Sequence, residues 1–212
     1  MRRWFGLGLL LAGLVIGLYG FFEWQSGKTA AQDLTQEELV DFTKIETQAA
    51  TDLKVKPAVP ETTAAPLLTS AVERKFGEKT ATLLIPKIEQ KYSVYWGADD
   101  DTLKKGVGMY VSDLTTVPGG YGHTVLSGHR DTVFTKLAEL EETDNLLVEF
   151  EGKIYVYEIA KTWITDKDDR SVIVEKDEST LTLTTCYPFD FIGSAPERYI
   201  VQAKLVSSQE AK

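Results

Sequence analysis

Residues 4–22 run for nineteen positions without a charge, rich in Leu and Gly, between Arg2 and Arg3 on one side and Glu23 on the other. As a helix this run measures roughly 28 Å, close to the ~30 Å hydrocarbon core of a bilayer. It reads as one membrane span, which divides the chain into an anchor and an exported body. The paired arginines keep the N-terminus in the cytoplasm and send everything after about Trp24 outside. Trp4, Phe5, Tyr19, Phe21, Phe22 and Trp24 sit where interfacial aromatics belong. The rival is a cleavable leader, whose apolar region is normally ~7–15 residues long and ends at a small-residue site. Thr29-Ala30-Ala31 is a mediocre site, and the length of the run favours an uncleaved anchor.

Four regions follow. Residues 1–24 are a cytoplasmic tip and transmembrane anchor, 25–71 an extracytoplasmic spacer, 72–207 the folded domain and 208–212 a tail. Within the spacer, Thr35 and Glu38 have capping-box spacing, with Leu34 and Leu39 placed as a hydrophobic staple. Leu39, Phe42, Ile45 and Ala49 then recur at helical period, which predicts an amphipathic helix over about 35–50. Its apolar stripe needs either the main domain or the membrane to cover it. Pro57, Pro60 and Pro66 among Thr and Ala at 54–70 predict extended chain.

The domain itself carries short segments rich in Val, Ile, Tyr, Thr and Trp at 81–88, 92–96, 122–127, 146–151, 153–164, 171–174, 179–186 and 198–206. Glu151-Gly152 predicts a hairpin between two of them. Two short helices are expected, around 102–105 and 133–140. Eight strands with so little helix make the fold class mainly β, a closed eight-stranded antiparallel barrel.

Reactive side chains are few. With 23 Lys+Arg against 32 Asp+Glu the net charge is −9, which opposes any general phosphate-tracking role on nucleic acid. One cysteine and two histidines exclude a disulfide framework and a multi-Cys metal cage. Cys186 ends a predicted strand, so its thiol lies at a sheet rim, where sites are built. The plainer reading is a buried structural cysteine, but a lone thiol in an exported domain is exposed to oxidants and has no partner. A cysteine nucleophile needs a proton acceptor, and imidazole is the usual one. His123 and His129 would stand roughly 20 Å apart along a strand, so they cannot both serve one sulfur. His129 follows a strand and Gly128, which places it at a rim; His123 starts the strand, which suits a surface or packing role. Arg198 begins the strand after Cys186, and the two ends of an antiparallel pair are neighbours. Its planar, permanently charged fork suits an oxyanion; the bland alternative is a solvated edge-strand arginine.

Thr182-Leu183-Thr184-Thr185-Cys186 resembles the Thr-Leu-x-Thr-Cys signature of sortases, the membrane-anchored cysteine transpeptidases of Gram-positive surfaces. Leu126-Ser127-Gly128-His129-Arg130-Asp131-Thr132 resembles their histidine block, and Ala195-Pro196-Glu197-Arg198-Tyr199-Ile200-Val201 their arginine strand. Leu84-Ile85-Pro86-Lys87-Ile88 and Gly106-Val107-Gly108-Met109-Tyr110 resemble an opening strand and a later loop. Cys186-Tyr187-Pro188-Phe189 and Ile192-Gly193-Ser194-Ala195-Pro196 are most similar to class D members. The resemblance spans about residues 80–206 and implies Cys186 as nucleophile, His129 as acid/base and Arg198 as transition-state stabiliser. It also implies Ser127 and Thr185 as residues flanking the substrate groove.

The activity implied is two-step acyl transfer. Cys186 attacks the Thr carbonyl of an LPxTG-like sorting signal, a thioacyl enzyme forms, and a cell-wall amine takes the acyl group. A cysteine peptidase that transfers only to water and a noncatalytic peptide-binding barrel are the alternatives. Asp99-Asp100-Asp101 and Asp166, Asp168, Asp169 lack an EF-hand pattern and read as solvated loops; no metal or other cofactor is expected.

Overall fold

Between Phe150 and Lys153 the chain reverses in two residues, Glu151 at φ 50° and Gly152 at φ 75°. Two successive positive φ values match the right-handed twist of the flanking strands, and the hairpin falls where Glu151-Gly152 predicts it. A computed structural model describes residues 2–28, 30–52, 74–190 and 193–211. The Pro-rich stretch expected at 54–70 lies outside the described residues.

The described residues form nine strands: β1 (Ala31–Asp33), β2 (Lys79–Ile85), β3 (Gln90–Trp96), β4 (Val107–Met109), β5 (His123–Ser127), β6 (Asn145–Phe150), β7 (Lys153–Asp166), β8 (Thr180–Tyr187) and β9 (Glu197–Glu210). Eight of them form a ring in the order β3-β2-β6-β7-β9-β8-β5-β4, closed where β4 returns to β3. β1 is added outside this ring. It pairs with β3 at Gln90–Tyr92, along the same border that β4 occupies at Val94–Trp96.

The sequence is corrected in four places. Pairings β3–β4 and β5–β8 are parallel, so the barrel is not antiparallel throughout. Neither pair is joined by a hairpin, and residue alternation reports which face is buried, not the direction of a distant neighbour. Residues 171–174 form no strand, because both borders of β8 are taken by β5 and β9; Val172 is buried in a loop instead. Residues 107–109, expected as loop, form β4. Around 133–140 there is only a 3-10 turn, Leu137–Glu139, since the amides of Val133 and Phe134 both turn back to the His129 carbonyl.

The core fills the ring with Leu83, Ile85, Met109, Leu126, Leu183 and Val201, among others. Tyr92 and Phe134 meet edge to face, 5.6 Å apart, inside it. Arg74, at the point where the chain re-enters the described structure, lies over the rings of Trp96 and Phe150 and bonds Thr80 and Glu151.

Helix α1 spans Arg2–Lys28 and exposes Leu9, Leu10, Leu11, Leu14 and Ile16. Among the described residues no helix is long and apolar enough to cross a membrane. Helix α2 spans Gln36–Asp52, and its start is a reciprocal cap: the Thr35 amide donates to Glu38 Oε2 at 2.8 Å and the Glu38 amide to Thr35 Oγ1 at 3.3 Å. Leu34 and Phe42 are buried against Leu84, Leu147 and Val156, with Leu39 and Ile45 packed alongside. Of the two covers open to the stripe, the barrel supplies it. Helix α3 is the short Asp100–Leu103, capped by Asp99, whose Oδ1 accepts from the Thr102 amide at 3.0 Å. The acidic run is thus a helix start, where carboxylates suit the dipole.

Burying Leu34 and Phe42 contributes about 3–6 kcal/mol, whereas a cap contributes about 0.5–2 kcal/mol. The docking of α2 therefore outlasts loss of its cap. Lys91 Nζ donates to Glu38 Oε1 at 2.7 Å, and this contact, with the Thr35 amide, lowers the Glu38 pKa from 4.5 to about 2. A lowered carboxylate pKa gives stability that is full above 4.5 and is lost as the pH falls toward about 2. The stability gap between wild type and Glu38→Gln, measured by thermal unfolding, is expected to be present at pH 6 and to shrink toward zero near pH 2. A gap independent of pH would show that the Glu38 charge is not what the cap uses.

Candidate active site

β8 and β9 pair so that Cys186 stands directly opposite Arg198. In an antiparallel ladder such partners lie about 5 Å apart at Cα and project to the same face. Leu181 and Leu183, which alternate with Thr182, Thr184 and Cys186, belong to the core. Cys186 and Arg198 therefore share the outer face, at the rim where β8 ends and β9 begins. The thiol is free and half-buried. Arg198 Nη1 donates to the carbonyls of Glu197 at 2.9 Å and Ala195 at 3.4 Å, which folds the guanidinium back beside its own strand.

The histidine segment reaches the same rim along β5. Ser127 is registered with Thr184, the Gly128 amide donates to the Thr184 carbonyl at 3.2 Å, and Thr185 Oγ1 donates to the Gly128 carbonyl at 2.7 Å. His129 thus emerges beside the last residues of β8. Gly128 does not take a positive φ, so backbone freedom is not why glycine stands there. A Cβ would come within 2.8 Å of Phe134 Cδ2 and Val133 Cγ2; close approach to the core is the reason. Arg130 Nη2 donates to the Gly193 carbonyl at 2.8 Å, so the histidine loop is fastened to the segment that leads into β9. Beneath the rim, Tyr187, Phe189 and Tyr199 form a ring cluster, with centroids 5.3–6.3 Å apart.

Cys186, His129 and Arg198 are brought to one end of the barrel. Ser127 is half-buried on the outer face, next to Thr184. Thr185 is buried, and its hydroxyl fixes the exit of His129. His123 lies away from this rim, fully buried at the start of β5. Asp169, in the loop after β7, accepts from Thr165 Oγ1 and from the Ser171 amide and hydroxyl, so it braces a turn. Sequence reasoning gave Arg130 no task of its own. Its adjacency to His129 was the only signal, since Gly193 is 63 residues away.

Residues 83–206 match the family model of the Sortase domain. Sortase D of Bacillus subtilis (strain 168) is 36% identical over 208 residues, covering 98% of this chain and 100% of the relative. Among solved structures, the catalytic domain of B. anthracis SrtD is 64% identical, with a TM-score of 0.58, over 68% of this chain and 97% of that one. A Clostridium perfringens Sortase D5 transpeptidase is 26% identical, with a TM-score of 0.58, over 76% of this chain and 89% of that one. Identity sustained over nearly the whole chain, joined to a family match that spans the barrel, makes this protein a member of the sortase family, whose enzymes are cysteine transpeptidases.

Proposed function

We propose that this sortase cleaves an LPxTG-like signal on exported proteins through a thioacyl enzyme on Cys186 and passes the acyl group to a cell-wall amine. The observation that carries the assignment is the Cys186–Arg198 register pair on the outer face, with the His129 segment hydrogen-bonded to the two residues before the thiol. Cys186 attacks the threonine carbonyl, and the developing oxyanion falls to Arg198, whose fork donates without losing charge. His129 gives a proton to the leaving amine and later takes one from the incoming amine. Thr185 acts on the geometry of His129, and Ser127 flanks the peptide on the outer face. The uncharged run at 4–22 of the sequence, flanked by Arg2, Arg3 and Glu23, supports a single-pass anchor with a cytoplasmic N-terminus and an extracytoplasmic barrel. The anchor holds the catalyst where exported substrates and wall precursors meet. No bound metal or other cofactor enters these steps.

Incubating the purified full-length protein with a labelled LPxTx peptide library, with and without an amine acceptor, tests this reading. The expected result is exchange products that need the amine and outnumber hydrolysis products. Release to water alone, unaffected by amine, would make the protein a peptidase.

A further inference from the structure

His123 takes no part in the chemistry above, yet it is fully buried and both ring nitrogens are engaged. Nδ1 lies 2.8 Å from the Val174 carbonyl and Nε2 lies 2.7 Å from Thr182 Oγ1. A carbonyl only accepts, so Nδ1 carries the proton; Nε2 of the neutral ring then accepts from the Thr182 hydroxyl. Gln202 Nε2 completes the chain by donating to Thr182 Oγ1 at 3.2 Å. Burial holds the ring pKa below its usual value, partly opposed by the Val174 bond and helped by the Lys176 charge, which keeps this tautomer neutral.

The position of Val174 gives the arrangement a purpose. Loop 167–179 leaves β7 beside Arg198: Thr165 is registered with Arg198, and the Lys167 amide donates to the Pro196 carbonyl at 3.0 Å. It returns at Thr180, whose amide donates to the Gly122 carbonyl at 2.9 Å. Both feet are thus fixed by backbone. His123 bonds its middle, from the outer face that also presents Thr182 and Cys186. Val172, two residues earlier, is buried.

We propose that His123 is a positioning residue whose Nδ1–H bond to Val174 holds loop 167–179 as a fixed wall along β8, setting the groove through which an extended peptide reaches Cys186. The role in turnover rests on the site reading above; the effect on the loop does not. Asn places an amide nitrogen near the Nδ1 position, so His123→Asn keeps a donor for Val174. Gln reaches toward the Nε2 position, so His123→Gln keeps a partner for Thr182 and loses the Val174 bond. In the full-length enzyme, His123→Gln is expected to raise the KM for peptide about tenfold, the worth of one buried hydrogen bond, with kcat nearly unchanged. Amide exchange over residues 171–176 should quicken in the same variant. His123→Asn is expected to restore both readouts. Equal loop exchange in the two variants, or a fall in kcat without a change in KM, would overturn the role of His123. A wild-type enzyme that forms no transfer product would overturn the site reading, while the exchange comparison would still decide the loop.

Discussion

Cys186→Ala is expected to remove acyl-enzyme formation and turnover completely while leaving the barrel folded. The chain contains one cysteine, so no second thiol can take over the attack. The side chain is half-buried at a rim, outside the packed interior, and substitutions of that kind move stability by no more than about 0.5–1 kcal/mol. Intact-mass spectrometry after mixing with a labelled LPxTx peptide reads the result: an acyl adduct on wild type and none on the variant, with closely similar melting temperatures. An adduct on the variant would place the nucleophile elsewhere in the chain.

Arg198→Lys keeps the charge and most of the length, so it isolates the guanidinium fork. Loss of an oxyanion donor costs about 3–4 kcal/mol, or roughly 10²–10³ in rate. A fall of that size in kcat/KM is expected, with little change in thermal unfolding, because Arg198 makes its hydrogen bonds to local carbonyls at the rim and not across the core. The lysine ammonium can satisfy the Glu197 carbonyl, but it cannot hold that bond and present a second, coplanar donor to the reacting oxygen. Turnover within threefold of wild type would remove Arg198 from the transition state.

These two residues were readable from sequence because they stand one residue inside the facing ends of consecutive strands: the antiparallel pairing of β8 with β9 makes neighbours of Cys186 and Arg198. The Glu151-Gly152 turn and the Thr35–Glu38 cap were readable for the same reason, since each is decided within a few residues. What stayed hidden depends on partners far along the chain. Residues 107–109 become a strand only because β3 and β5 offer them borders, and the β-branched run at 171–174 stays a loop because β8 has none left. His123 shows both halves of this. Its place at the start of a strand already suited a surface or packing role, but its partners at Val174 and Thr182 come from elements 51 and 59 residues away. Gly128 marks the strand exit that the sequence shows, but the need for glycine there was hidden, because the side chains that forbid a Cβ come from the turn that follows.

The ring that closes between β3 and β4 also limits how a substrate can be captured. Among the described residues open strand borders include that of β1, three residues long with Gln32 and Asp33 exposed, and the far part of β7, where 160–166 pair with β9 alone. Neither of these borders carries Cys186, so a peptide added there as an extra strand is not thereby delivered to the thiol. Selection among secreted chains must then come from side-chain fit beside the thiol, so an unrelated extended tail is not processed merely because its backbone is free.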